Sequence, residues 1–230
     1  MGLLGTTIRA TVIRPGHTWR IPFGIARSIK LQVDPKAPLH TYLGTAELEL
    51  SPHIRRFAAP GSNCLEVGGH DGGDAMALAR LSGTEVVSFE FDPVCVERMR
   101  CNLALNPELG PRVRIIQTYV AHEQRDDPKT DTLDRLIASG AVPEPDFVKM
   151  DVEGAEATVL SGAQALLDGR RPHLIIETHS LELERQCCEL LCERGYTPEI
   201  LDQRKWLREQ RGDRHNRWIV AQGRTANAAL

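Results

Sequence analysis

Asp151, Glu153 and Glu156 lie close together in the stretch 146–163, DFVKMDVEGAEATVLSGA. Ahead of them Phe147, Val148 and Met150 form a short apolar run, and after Gly154 the apolar residues Ala155, Val159, Leu160 and Ala163 recur at helical intervals. This pattern predicts a buried strand that ends in carboxylates and turns straight into a helix. Ligands of open α/β sheets bind at the carboxyl ends of strands, and clustered carboxylates are costly unless a cation or proton meets them. The stretch is therefore the candidate active site. Glu153 precedes the helix and is placed to reach the site. Glu156 falls inside the helix, where a first-turn acid is expected to serve the helix dipole.

A second strand, His173–Thr178, ends beside Glu177 and His179. Neighbouring parallel strands would bring these residues next to Asp151 and Glu153. His179 is the candidate general base, because an unperturbed imidazole titrates near neutral pH. Asp151 is expected to orient that imidazole, to accept an acceptor hydroxyl or to face a cationic cofactor, with Glu153 as the third catalytic residue. Asp151, Glu177 and His179 together also have the donor types for a divalent metal such as Mg with open positions.

The first strand of the alternating region, Asn63–Val67, runs into Glu66-Val67-Gly68-Gly69-His70-Asp71-Gly72-Gly73. Glycines at such a turn admit positive φ and close ligand approach. The next strand ends in Glu90, 24 positions after Glu66, where an acid typically accepts hydrogen bonds from ribose hydroxyls. The glycines do not follow the G-x-G-x-x-G spacing that seats a pyrophosphate on a helix N-terminus, and Asp71 and Asp74 would repel one. A nicotinamide cofactor is excluded on this ground. S-adenosylmethionine has a ribose, no phosphates and an ammonium to meet Glu66, so it is the expected cofactor, with Glu66, Gly68, His70, Gly72 and Glu90 around it.

Strands and helices alternate from residue 63 onward. Helices are predicted over 74–81, from the Asp92-Pro93 start to about Leu105, over 132–138, after Gly154, and from the Ser180 cap to Gly195; strands are predicted over 86–91, 113–118, 198–201 and 218–221. Such alternation gives a doubly wound, mostly parallel sheet. Upstream, Thr7–Ile13 and Ser28–Val33 alternate between prolines and read as a hairpin or strap outside the main sheet, followed by a helix over 47–57 that Pro52 kinks or restarts. The expected organisation is a strap over 1–45, one catalytic domain over 46–222 and a loose tail over 223–230.

A length of 230 residues suits one α/β domain, and a formal net charge of −3 argues against general nucleic-acid affinity. No apolar run approaches a membrane span. The six cysteines form no C-x-x-C pair, which fits a reducing compartment and a cytoplasmic location. The basic stretch 203–217 reads as a solvated loop, with a lid over an anionic or sugar-bearing acceptor as the alternative.

The order of these motifs resembles the FkbM family of class I S-adenosylmethionine-dependent methyltransferases. The resemblance rests on Leu43-Gly44 and Glu47, LEVGGHDG at 65–72, SFEFDP at 88–93, Asn102 and Asn106, TLDRL at 132–136, the DVEGAE block and RPHLIIETHS at 171–180. It implies a Rossmann-like, seven-stranded sheet with its last strand antiparallel. It also implies O-methylation of a small molecule or glycan, and it adds Glu47 to the cofactor-binding residues. The chain departs from the family in having Glu66 for Asp, Gly69-His70 for Ala-Asn and Ala46 for an aromatic residue. The expected partner is a small-molecule acceptor such as a sugar or polyketide, with no membrane and no nucleic acid, and with self-association open. A nucleic-acid or N-directed methyltransferase is the alternative, but the segment after the fourth strand lacks the Asn/Asp-Pro-Pro-aromatic motif. A non-catalytic cofactor-binding module is the third reading, although the acids expected to be lost from such a module are kept.

Overall fold

A computed structural model describes residues 16–124, 129–204, 206, 215 and 217–223. Its centre is a seven-stranded sheet built from β3 (Cys64–Val67), β4 (Val86–Glu90), β5 (Val113–Gln117), β8 (Phe147–Met150), β9 (His173–Thr178), β10 (Pro198–Leu201) and β11 (Arg217–Ala221). The spatial order is β10-β11-β9-β8-β3-β4-β5, and only β11 runs against its neighbours. The expected doubly wound, mostly parallel sheet with an antiparallel last strand is the observed one. Chain direction across the sheet reverses between β3 and β8, which makes their carboxyl ends the topological switch point.

Each face of the sheet is covered by an apolar layer. One holds Phe147, Ile175 and Trp218 with α2 (Ser51–Phe57) and α3 (Gly73–Ser82). The other holds Val148, Met150 and Ile176 with α5 (Leu133–Ala138), α6 (Glu156–Ser161), α7 (Gln164–Asp168) and α8 (Leu181–Glu193). The period-2 alternation of a strand therefore puts Glu66, Lys149 and Glu177 on the first face, at the ends of adjacent strands.

Local chemistry fixes the helix starts. Asp92 accepts from Val94 N at 2.8 Å and Pro93 opens α4 (Pro93–Ala104), while Ser180 Oγ accepts from Leu183 N at 3.1 Å at the start of α8. The helix expected after Gly154 is two short helices, α6 and α7. At the break, a Cβ on Gly162 would stand 1.9 Å from the Ala121 carbonyl oxygen, so the chain passes too closely there for any side chain. Asp134, from the TLDRL segment, then caps α7 by accepting from Ala165 N and Leu166 N at 2.8 and 2.9 Å.

The N-terminal hairpin pairs β1 (Thr18–Arg20) with β2 (Lys30–Gln32) in antiparallel register; the Thr7–Ile13 strand lies outside the described residues. A two-stranded hairpin is marginal by itself, and this one is not left to itself. Ile21, Ile29 and Leu31 are buried in the first apolar layer, each worth roughly 1.5–3 kcal/mol of transfer free energy. Asn106 accepts from Lys30 N and donates to Lys30 O, and Asn102 accepts from Gln32 N, so α4 and the turn after it supply the hydrogen bonds that the edge of β2 lacks. The hairpin is thus held firmly as a wall against the domain. Its short helix α1 (Leu39–Leu43) and the two-residue ladder β6 (Tyr119–Val120)–β7 (Thr130–Asp131) were not expected from the sequence. Residues 48–50 form a single 3-10 turn before α2, with Pro52 in the first turn of that helix, as its restarting role requires.

Candidate active site

At the switch point lies a cavity of about 590 Å³, lined by Glu47, Glu66, Gly68, His70, Lys149, Asp151, Glu153, Glu177, His179 and residues of the N-terminal wall. Gly72 and Glu90 are not among the lining residues. Three of these cavity residues, Glu47, His70 and Glu153, have the left-handed backbone that non-glycine residues rarely adopt (φ 49, 45 and 49°). Such strain gathers where the surroundings over-determine a site.

The turn after β3 is tight for a structural reason. A Cβ on Gly68 (φ +96°) would lie 1.7 Å from the carbonyl oxygen of Asp151, and one on Gly69 would lie 2.4 Å from Ser88 Oγ. Glycine here lets the ends of β3 and β8 touch. Glu90 fastens the same turn from behind: its carboxylate accepts from His70 N at 2.9 Å and from Phe91 N and Asp92 N at 2.8 and 2.9 Å.

Glu66 is buried and accepts from the Ser88 hydroxyl. Burial, reinforced by the nearby Asp74, holds its carboxyl well above the usual carboxylate range. Its in-register neighbour on β8 is Lys149, which lies 2.7 Å from Asp74 and 3.4 Å from Glu47. Burial works to lower the Lys149 pKa, but these carboxylates outweigh it and hold the ammonium charged. Lys149 was not singled out from the sequence, although a lysine inside the apolar run FVKM can only be buried with partners.

The acid end is organised around His179. Its Nδ1 lies 2.5 Å from Glu156 Oε1, and its Nε2 faces Asp151 at 3.5 Å, Glu153 at 3.7 Å and Glu177 at 3.9 Å. Burial alone would lower the imidazole pKa, yet the hydrogen bond to Glu156 and the surrounding carboxylates raise it to about 9. Burial pushes the Asp151 carboxyl up, and its Oδ1 is sealed from solvent without a hydrogen-bond partner. Glu177 Oε2 accepts from Trp218 Nε1 at 3.2 Å.

Glu156 requires a correction. It does not serve only the helix start; it is fully buried, points inward and accepts from Gly154 N as well as meeting His179. Asp151, Glu177 and His179 do converge, with one donor atom of each within 4.8 Å of the others. Of the basic stretch 203–217, Arg204 turns inward to Glu49 and the Thr45 carbonyl, and Arg217 meets Glu184. Most of the remainder lies outside the described residues.

Strand order, the antiparallel β11 and the cavity at the switch point define a Rossmann-like methyltransferase fold. Residues 121–214 match the family model described as Methyltransferase FkbM domain. The hexuronic acid methyltransferase AglP of Haloferax volcanii is 39% identical over 72 residues, which are 31% of this chain and 30% of that protein. The chain thus matches under a third of that curated relative's length. Methyltransferase FkbM from Methylobacillus flagellatus KT superposes with a TM-score of 0.57 at 14% identity, over 95% of this chain and 59% of the other. Precorrin-6y C5,15-methyltransferase from Geobacter metallireducens GS-15 superposes with a TM-score of 0.54 at 13% identity, over 79% and 89%. At these identities the two structures speak to the fold alone.

Proposed function

We propose that the chain is an S-adenosylmethionine-dependent methyltransferase that acts on a hydroxyl of a small molecule such as a sugar or polyketide. The observation that carries this reading is the charge of the cavity, whose lining has seven carboxylates against two lysines. Two of the acids, Glu66 and Asp151, are held above their usual range by burial, so a cationic ligand without phosphates is the kind that relieves them. S-adenosylmethionine carries an ammonium and a sulfonium, and the sulfonium supplies the methyl group. Glu66 and Glu47 are the acids for its amino-acid part, and Gly68 and His70 form the turn beside it. The relation to a hexuronic acid methyltransferase favours a carbohydrate acceptor.

The protein's own part is to align the acceptor and receive its proton. Glu156 fixes the ring of His179 so that Nε2 faces the cavity beside Asp151. The imidazole accepts a hydroxyl proton only when neutral, and Asp151, made more basic by burial, shares that proton across the pair. The test is incubation with S-adenosylmethionine and methyl glycosides of glucuronic acid and of glucose, followed by mass spectrometry. A gain of one methyl on a sugar oxygen supports the reading. S-adenosylmethionine binding with transfer only to amine or nucleic-acid acceptors would replace it with the N-directed or nucleic-acid alternative.

A second reading of the acid end is favoured by the Glu156–His179 contact. A carboxylate on one ring nitrogen is the way metal-ligating histidines are held, and the other nitrogen of His179 faces Asp151, Glu153 and Glu177. Asp151, Glu177 and His179 would hold a divalent ion such as Mg, whose charge would polarise the acceptor oxygen. If methyl transfer is undiminished in chelator after verified metal removal, this version fails.

A further inference from the structure

We propose a second ligand site, for a diphosphate group, on the outer side of the N-terminal hairpin. A cleft of about 540 Å³ lies there, between the hairpin, the C-terminal end of α3 and the loop that follows α4. That volume is in the range of small-molecule sites. Its lining brings together Arg20, Lys30, Arg80 and Arg112 against the single carboxylate Glu108. Four cations less one acid leave three positive charges, in a chain whose formal net charge is −3.

Arg20, Lys30 and Arg112 have no ion pair among the described residues. Arg80 donates to the backbone carbonyls of Arg27 and Ile25, which ties the far end of the hairpin loop to α3. Burial, and after it the neighbouring Arg55, pushes the Arg80 guanidinium below its ordinary value. The floor is firm, because Asn106 holds both backbone polar groups of Lys30 at 2.9 and 2.8 Å. The residues next to Arg20 and Lys30 in the chain, Ile21 and Leu31, line the candidate active-site cavity instead, so the hairpin is a wall shared by two clefts of opposite charge.

The charge selects the ligand. One phosphate carries about −2 near neutral pH, which leaves part of the surplus uncompensated, whereas free diphosphate carries about one charge more and matches it. Arginine forks bind phosphate oxygens in pairs. The diphosphate of an activated sugar carries less charge but offers the same paired oxygens to the arginine forks.

Calorimetric titration of the whole chain at about 150 mM salt, where unpaired surface charges are screened beyond ~8 Å, is the test. The probes are inorganic pyrophosphate and uridine diphosphate glucose. Binding of pyrophosphate, weakened about tenfold or more in Lys30→Ala and in Arg112→Ala, supports the site. Binding of the sugar nucleotide alone, with the same losses, supports it and shows that the organic part contributes. These substitutions leave the Lys30 backbone bonds to Asn106 in place, and an unchanged melting temperature verifies the fold. No binding of either probe, or binding that survives both substitutions, overturns the proposal.

Discussion

Glu156 Oε1 sits 2.5 Å from Nδ1 of His179, and the glutamate is fully buried while the imidazole is open to the cavity on its other nitrogen. The contact joins the helix after β8 to the end of β9. It sets both the direction of the ring and the state of its proton, and the first expectations concern that proton.

If neutral His179 is the base, the rate must rise with pH. With a pKa raised to about 9, roughly one ring in a hundred is neutral at pH 7. The pH profile of kcat/KM, which reports the free enzyme, is expected to climb about tenfold per pH unit and level off near pH 9. A profile that is already flat from pH 7 would assign the proton to Asp151 instead.

Replacing Glu156 by Gln keeps an acceptor for Gly154 N but removes the charge beside the ring. Burial, which lowers the imidazole pKa, is then opposed only by Asp151 and Glu153. NMR titration of His179 is expected to show its pKa falling by at least one unit, with the rising limb of activity moving to lower pH by the same amount.

The same shift has a consequence for stability. A histidine whose folded pKa exceeds the unfolded value stabilises the fold fully below about 6.5, and that stabilisation is lost as pH rises through about 9. The full shift corresponds to about 3.4 kcal/mol, and solvent screening of the half-buried ring reduces the contribution to on the order of 1–2 kcal/mol. Denaturant unfolding of the wild type minus that of His179→Gln should show a difference that shrinks between pH 6.5 and 9. A difference that grows with pH would contradict the charged resting state.

Lys149→Met leaves Asp74 and Glu47 without their buried cation. Breaking a buried pair from one side costs about 3–5 kcal/mol, so a large fall in urea midpoint is expected. Adding Asp74→Asn should recover part of that loss, because one of the stranded charges is then gone. Gly68→Ala should be at least as damaging, since its Cβ would enter the Asp151 carbonyl at 1.7 Å on a backbone with φ +96°.

Much of this architecture was legible because it is local. His173–Thr178 and Pro198–Leu201 form the strands that their apolar and β-branched runs predict, and Asp92, Pro93 and Ser180 mark the helix starts. Convergence of Asp151, Glu177 and His179 followed from the rule that parallel strands end together. What was illegible depends on packing between distant segments. Position along α6 does not tell which way Glu156 points; that is set by how the helix lies on the sheet. Gly162 breaks the helix because of Ala121, some 40 positions upstream, a contact without local signal. β1 has three residues, too few to show alternation, and the role of Asn102 and Asn106 in gripping its partner strand needs the folded geometry. Lys149 did have a signal, a charge within an apolar strand, and its partners are what the sequence could not supply.

The most direct test of the central claim is calorimetric titration of the purified chain with S-adenosylmethionine, S-adenosylhomocysteine and NADH. The acid-lined cavity predicts micromolar binding of the first two, no binding of NADH, and a loss of about tenfold or more in Glu66→Gln. Tight binding of NADH with none of S-adenosylmethionine would contradict it.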